Sequence, residues 1–177
     1  MEPEGETRVA IVPGSMKKLH KAGFEVMIES GAGIAANYSD VEYSDAGATV
    51  SNRSDVMACE IVISIRLPDI SELSKGQIVA CVADPFRHPD KIKQCIDKGI
   101  TLMSMDMIPR RLSRAQSMDV NSSQDNLAGY KAVLLGAAHV PRGIPMMTTS
   151  AGTVRPAKVV IMLSLIHISE PTRRYRI

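Results

Sequence analysis

Short apolar runs alternate with amphipathic stretches along most of the chain. The runs at residues 24–29, 61–65, 77–83 and 100–103 have the length of strands and are rich in β-branched or other apolar residues. A further run of this kind lies at residues 158–162. Strands that are buried on both faces form nearly continuous apolar runs, so these segments predict a parallel sheet.

Helical spacing fills several of the intervals between these runs. Residues 13–21 begin at a proline and precede Gly23, and residues 89–98 begin at a proline and precede Gly99. Residues 122–139 are the longest predicted helix. Its predicted core-facing positions are Leu127, Tyr130, Val133 and Leu134.

This order of elements predicts an α/β fold with a doubly wound parallel sheet, of the Rossmann-like or flavodoxin-like kind. A sheet of this class normally begins with a strand. Here the chain begins with the polar segment MEPEGETR and goes on to the helix at residues 13–21. We therefore expect the first strand of the fold to be missing.

Composition narrows the classes of function. A chain of 177 residues, 45% hydrophobic and 23% charged, is typical of a globular domain or of one domain with a portion of a second. The net charge is only +2, and aromatic residues make up 3%. Nucleic-acid binders usually carry a larger basic excess and more stacking aromatics, so we expect no nucleic-acid partner.

The cysteines and histidines predict neither disulfides nor a metal site. Cys59, Cys81 and Cys95 have no C-x-x-C spacing. Cys59 and Cys81 lie in or beside apolar runs, so we expect them to be buried free thiols in a reducing compartment. His20 and His139 have no second ligand at metal spacing. We also expect no signal peptide and no transmembrane segment in this chain.

The densest group of candidate site residues lies within residues 108–130, after the predicted strand at residues 100–103. Open α/β sheets bind ligands at the carboxyl ends of their strands. Guanidinium groups suit a phosphate or carboxylate, and Gln and Asp side chains can hold an amide or a ribose hydroxyl. Composition alone favours a structural interpretation, in which Ser117, Asp119 or Ser122 caps a helix and the arginines are solvated, because such clusters are common on protein surfaces.

Several motifs resemble the N-terminal domain of the alanine dehydrogenase and pyridine-nucleotide transhydrogenase family. The densest are RAQSMD at residues 114–119, SSQ at residues 122–124 and LAGYKAVLLGA at residues 127–137. Weaker matches begin at residues 4–10 and reach residues 156–159. The transhydrogenase branch of the family is more similar to this chain than the alanine dehydrogenase branch.

The resemblance implies an enzyme: the NAD(H)-binding alpha subunit of a proton-translocating NAD(P) transhydrogenase. Such a subunit exchanges hydride between NAD(H) and NADP(H), the latter held on a partner domain, and a membrane-embedded subunit couples this exchange to proton translocation. The resemblance also implies a dimer of the chain with itself, at the cytoplasmic face of the inner or plasma membrane.

The resemblance implies cofactor-binding residues but no catalytic residue, because the hydride chemistry belongs to the cofactor. Arg111 would reach the cofactor, Gln116 and Asp119 would orient its carboxamide and ribose, and Ser122 would lie alongside. The complete expected set is Arg111, Ser113, Arg114, Gln116, Asp119 and Ser122.

Two departures from the family pattern affect this set. The chain has one extra residue before the RAQSMD motif, so Arg110 and Arg111 compete for one role. Counting back from Gln116 favours Arg111. Asn121 stands where the family more commonly has an apolar residue, which we interpret as tolerable at the start of a helix.

Two alternatives remain open. An alanine dehydrogenase-like amino-acid oxidoreductase would use Arg8 and Arg66, with a histidine as general acid/base near the end of the strand at residues 77–83. His88 lies several residues beyond that strand, so we expect Arg8 and Arg66 to be solvated or in a structural ion pair. The second alternative is a non-catalytic nucleotide-binding fragment.

The predicted domain organisation has three segments. Residues 1–140 are an N-terminal alanine dehydrogenase/transhydrogenase domain, incomplete at its start. Residues 141–162 are a crossover and the first strand of a truncated NAD-binding Rossmann domain. Residues 163–177 begin LSLIHISEPTR, which resembles the translation of a transposon-end sequencing adapter, so we interpret them as a non-native tail. We expect the fragment itself to be inactive.

Overall fold

A computed structural model of the chain describes residues 5–109 and 111–160. Arg110, Met162 and the tail predicted at residues 163–177 lie outside the described residues. The chain divides into two compact units, of which the first ends at Ser123 and the second begins at Gln124.

The first unit contains two sheets, and every strand pair in them is parallel. The smaller sheet pairs β1 (Met27–Glu29) with β2 (Thr49–Ser51). The larger sheet has the order β3 (Ile61–Arg66), β4 (Ile78–Val82), β5 (Thr101–Ser104). The predicted α/β class with parallel strands is confirmed.

Local sequence signals account for the helices of this unit. The helices are α1 (Met16–Lys21), α2 (Asp40–Asp45), α3 (Arg53–Met57) and α4 (Pro89–Lys98). A reciprocal capping box begins α2, in which the Ser39 hydroxyl accepts from the Glu42 backbone N–H and the Glu42 carboxylate accepts from the Ser39 N–H. Gly99 ends α4 with a φ of 72°, a left-handed conformation that glycine adopts without strain.

The core of the unit consists of two clusters. One surrounds β3 to β5, where Val79, Cys81 and Cys95 are almost completely buried. Burial raises the pKa of the Cys95 thiol, as expected for a structural cysteine. The other cluster surrounds β1 and β2 and is centred on Met16 and Tyr43; the Tyr43 hydroxyl donates to a backbone carbonyl at 2.8 Å.

The strand predicted at residues 24–29 is half the expected length. The pattern predicted residues 24–29, but β1 begins at Met27. Gly23 has a φ of 88°, and the backbone N–H of Phe24 donates to the carbonyl of Leu19 at 3.1 Å. The residues directly after Gly23 therefore terminate α1 before the strand begins. The apolar periodicity alone does not predict this termination.

The secondary structure of the second unit differs more from the sequence prediction than that of the first unit. Its described residues contain most of α5 (Val120–His139) and an antiparallel hairpin of β6 (Met147–Thr149) and β7 (Gly152–Val154), which the sequence did not predict. Residues 158–160, the described portion of the predicted strand at residues 158–162, have no regular secondary structure.

The predicted core-facing side of α5 is exposed in this chain. Between 48% and 68% of the surface of Leu127, Tyr130, Val133 and Leu134 is accessible, so their prediction as core residues is wrong here. Helical spacing defines an apolar face, but only a second layer of structure can bury it.

Between the two sheets of the first unit lies a cleft of about 400 Å³, here called the inter-sheet cleft. It is bordered by β1 on one side and by β3 on the other. Apolar side chains contribute most of its lining, among them Phe24, Val26 and Ile61.

Glu6 connects the amino-terminal segment to the carboxyl end of β3. Arg8 donates from Nε to Glu6 Oε1 at 2.7 Å and from Nη2 to Oε2 at 2.6 Å. Arg66 Nε lies 3.8 Å from Glu6 Oε2. Hydrogen bonds from Arg8 lower the pKa of Glu6 to about 2. The expectation that Arg8 and Arg66 are solvated or in structural ion pairs is confirmed, since both pair with Glu6.

The lowered pKa of Glu6 predicts a stability difference that depends on pH. The folded-state pKa is about 2 against an ordinary value of 4.5, so the Glu6 contribution is present above pH 4.5 and is lost as the pH falls through 2. At neutral pH, Glu6→Gln should reduce the free energy of unfolding by about 1 to 2 kcal/mol, because the Arg8 side chain is partly solvated.

Denaturant unfolding at several pH values measures this difference. The deficit of Glu6→Gln relative to the wild type should shrink steadily between about pH 4.5 and pH 2. Glu60→Gln, at an exposed position, is the matched control and should show little deficit at any pH. A Glu6→Gln deficit that does not change with pH would contradict the assignment.

Candidate functional site

The predicted site residues lie in one loop that follows the carboxyl end of β5. A 3-10 turn at Met105–Met107 continues from the strand, and a second one at Gln116–Met118 precedes α5. Residues 111–122 therefore occupy the position that the sequence predicted, at the edge of the sheet where open α/β folds bind ligands.

Asp106 attaches the beginning of this loop to the neighbouring strand β4. Its Oδ1 accepts a hydrogen bond from the Ala83 backbone N–H at 3.2 Å, and its Oδ2 accepts one from the Asp84 N–H at 3.0 Å. The Ser104 hydroxyl also donates to Oδ1, at 2.5 Å. One carboxylate thus holds together the carboxyl ends of β4 and β5.

The Asp106 contacts also bear on the backbone of Asp84. Asp84 has a φ of 46°, in the left-handed region that few non-glycine residues adopt. The hydrogen bond from its N–H to Asp106 helps to hold this conformation. Sequence reasoning missed Asp106, although an aspartate two residues after a strand is a recognisable turn feature.

Asn121 attaches the other end of the loop to the same place. Its Nδ2 donates to the backbone carbonyl of Asp106 at 3.1 Å, across a separation of 15 residues. The asparagine that departs from the family pattern therefore makes a specific contact. Hydrogen bonds to Asp106 therefore attach both ends of the loop to the same residue.

Asp119 and Ser122 are in direct contact at the start of α5. Asp119 Oδ1 accepts from the backbone N–H groups of Asn121 at 3.0 Å and Ser122 at 3.1 Å, and the Ser122 hydroxyl donates to Oδ2 at 2.5 Å. These contacts satisfy N–H groups that a helix start leaves without partners. The capping interpretation is therefore correct for Asp119.

The remaining site residues share the loop but not mutual contacts. Ala115 is buried and anchors the middle of the loop, and its backbone N–H donates to the Leu112 carbonyl at 2.8 Å. Around it, four predicted side chains are exposed: Arg111, Ser113, Arg114 and Gln116. Within residues 5–109 and 111–160, neither guanidinium group is paired with a carboxylate.

These groups have the chemistry that a pyridine dinucleotide requires. An exposed guanidinium can bind phosphate in a bidentate way or stack on a flat ring. The Gln116 amide offers both a donor and an acceptor, the complement of a carboxamide. The residues present therefore fit the nicotinamide end of such a cofactor.

The described residues contain neither a metal-binding cluster nor a membrane-spanning helix. No group of three or more His, Cys, Asp or Glu side chains there could hold a metal ion. None of the helices described is both long enough and apolar enough to cross a bilayer.

Comparison with known proteins places the chain in a family. Residues 2–128 match the family model described as alanine dehydrogenase/PNT, N-terminal domain. The chain is 40% identical over 164 residues to NAD(P) transhydrogenase subunit alpha of Cereibacter sphaeroides, covering 90% of this chain and 31% of that protein. It is 29% identical over 165 residues to an alanine dehydrogenase of Methanococcus maripaludis, covering 89% of this chain and 43% of that protein.

A comparison with a solved structure indicates the same family. The crystal structure of transhydrogenase from Sinorhizobium meliloti matches with a TM-score of 0.82 and 41% sequence identity, covering 89% of this chain and 48% of that chain. The chain thus spans less than half the length of these relatives. From its sequence and its fold, the chain belongs to the alanine dehydrogenase/pyridine nucleotide transhydrogenase family and contains its N-terminal domain.

Proposed function

We propose that this chain belongs to the NAD(H)-binding alpha subunit of a proton-translocating NAD(P) transhydrogenase. The observation that carries the proposal is the loop at residues 111–122, closed on Asp106 and exposing the polar side chains of its RAQSMD motif. Identity of 40% to a transhydrogenase alpha subunit, against 29% to an alanine dehydrogenase over a similar length, supports the choice within the family.

The residues of the loop bind and orient the cofactor. Arg111 and Arg114 supply positive charge that can hold an anionic or flat group, and Ser113 offers a hydroxyl beside them. The Gln116 amide would pair with the carboxamide of the nicotinamide and orient it. The bound nicotinamide supplies the hydride chemistry.

Asp119 has a supporting role in this arrangement. By capping α5 it holds the Ser122 hydroxyl at 2.5 Å from its own carboxylate, so both groups can bind a ribose hydroxyl as one unit. A loop attached at both ends keeps these groups in one geometry, which reduces the entropy lost when the hydride donor and acceptor are aligned.

The proposal includes the rest of the complex. NADP(H) is held on a partner domain, a membrane-embedded subunit couples hydride transfer to proton movement, and the alpha subunit pairs with a second copy of itself. The subunit lies at the cytoplasmic face of the membrane. In this proposal residues 1–140 are the N-terminal domain, residues 141–162 lead into the Rossmann domain and residues 163–177 are not native.

The alanine dehydrogenase alternative has less support. Binding of an amino-acid carboxylate would need Arg8, whose guanidinium makes two hydrogen bonds with Glu6. Deamination would need a general acid/base close to the carboxyl end of β4. His88 is at the N-cap of α4, beyond the turn that contains Asp84.

Arg111 provides the most direct test in the complete subunit. Arg111→Ala should weaken NADH binding about ten- to a hundredfold, because it removes a charged donor to the cofactor. Lys93→Ala removes an exposed positive charge from α4 and is the matched control. Both are measured by calorimetric titration, and equal affinities for the two variants would contradict the role of Arg111.

A substitution at Asp106 tests whether this residue positions the loop. Asp106→Asn replaces an acceptor oxygen by a donor facing a backbone N–H, so it should cost about 1 to 3 kcal/mol of stability. Hydrogen exchange should accelerate at the Ala83 and Asp84 amides, and NADH affinity of the complete subunit should fall. Asp97→Asn, exposed on α4, is the control. Unchanged exchange at both amides would refute the positioning role.

The 177-residue chain alone should bind NAD(H) only weakly. The proposal gives it the nicotinamide-binding loop, whereas a glycine-rich loop after residues 158–162 would hold the pyrophosphate, and no glycine follows in residues 163–177. Calorimetric titration with NADH should give a dissociation constant no tighter than about 1 mM. Micromolar binding would show that the fragment holds a complete site.

A further inference from the structure

A pocket in the second unit is lined by cationic side chains. It has a volume of about 430 Å³ and lies between the segment that follows α5 and the segment that follows β7. Its charged lining residues are Arg142, Arg155 and Lys158, and the other lining residues are apolar. Among the described residues, no acidic side chain lines this pocket, which is here called the cationic pocket.

The hairpin of β6 and β7 brings the three cations together. The two strands are antiparallel, so the chain turns back, and Arg155 follows β7 directly. The backbone N–H of Ala157 then donates to the carbonyls of Gly143 and Ile144, both at 3.2 Å. These hydrogen bonds hold the segment that carries Arg155 beside the segment that carries Arg142.

The charges of the cationic pocket are not balanced by nearby carboxylates. Residues 126–160 contain four Lys or Arg and no Asp or Glu. Over the part of the chain that the structure describes, none of the three cations forms an ion pair with a carboxylate. Like charges that are held close together repel each other, so a bound anion would lower the electrostatic free energy of the pocket.

We propose that the cationic pocket binds a small anion that carries a phosphate group. Two guanidinium groups can each form paired hydrogen bonds with phosphate oxygens, and the Lys158 ammonium adds a further positive charge. The volume of about 430 Å³ is within the range of small-molecule sites.

The dipole of α5 explains only part of this arrangement. Arg142 lies three residues after His139, the last residue of α5, and a cation near a helix carboxyl end is stabilised by the dipole. That effect falls off within one turn and requires no cation from a second segment. Arg155 and Lys158 come from beyond the hairpin and still line the same pocket.

The cationic pocket is distinct from the pyrophosphate site of the proposed function. That site belongs to a glycine-rich loop after residues 158–162, whereas Lys158 begins this segment. Five extended residues span about 16 Å, so the pocket and the loop lie at opposite ends of the segment. The inference therefore does not depend on NAD(H) binding.

A titration of the 177-residue chain with sodium pyrophosphate, followed by amide NMR at constant ionic strength, tests the proposal. The amide signals of Gly143 and Ala157 should shift and saturate with a dissociation constant of about 1 mM, because the cations are exposed. Arg142→Gln and Arg155→Gln should each weaken binding about five- to tenfold. Arg155→Lys keeps the charge but loses the paired donors, so its effect should be intermediate.

Two controls retain the cationic pocket. Lys131→Gln removes an exposed cation from α5 in the same acid-free stretch, and Arg173→Gln combined with Arg174→Gln removes two cations from the tail. Both should bind pyrophosphate as the unmodified chain does, and the NMR spectra report whether each variant is folded. Shifts that do not saturate, or an equal loss of affinity in a control, would overturn the proposal.

Vesicles identify the source of the phosphate group. The chain is sedimented with phosphatidylcholine vesicles that contain or lack phosphatidic acid. Binding to the acidic vesicles that Arg155→Gln abolishes and pyrophosphate competes for would assign the pocket to a lipid headgroup. Saturable pyrophosphate binding without vesicle binding would assign it to a free anion.

Discussion

The candidate site depends on the hydrogen bonds of a single carboxylate. Asp106 accepts from the backbone N–H groups of Ala83 and Asp84, at the carboxyl end of β4, and from the Ser104 hydroxyl at the end of β5. Its own carbonyl accepts from the Asn121 side chain. The ends of β4 and β5 and both ends of the site loop are therefore fixed relative to Asp106. The side chains between the two ends of the loop can then be exposed and still be held in position.

Sequence reasoning succeeded where the determinants of structure are local. Pro89 and Gly99 bracket α4 at the predicted residues, because a proline at a helix start and a left-handed glycine after its end act within a few residues. The parallel class followed from apolar strands of β-branched residues. The position of the site loop followed from its place in the chain directly after a strand.

Prediction failed where the determinants are distant in sequence or belong to other regions of a structure. Asp106 meets its backbone partners across 22 and 23 residues, and no periodicity encodes such a pair. The apolar side of α5 was recognised as apolar, but its burial requires a layer that the sequence of one helix does not specify. Phe24 belongs to an apolar run and yet serves the end of α1, since helix termination competes with strand formation for the same residues.

The edge of β3 has a consequence for the handling of this polypeptide. Ile61 and Ile63 present apolar side chains beside a strand that can accept another parallel strand, which is the combination that promotes association between chains. Charged residues flank this edge at both ends, with Glu60 before Ile61 and with Arg66, which lies near Glu6, at the carboxyl end. We therefore expect Ile61 and Ile63 to favour association of the chain with itself in concentrated solution.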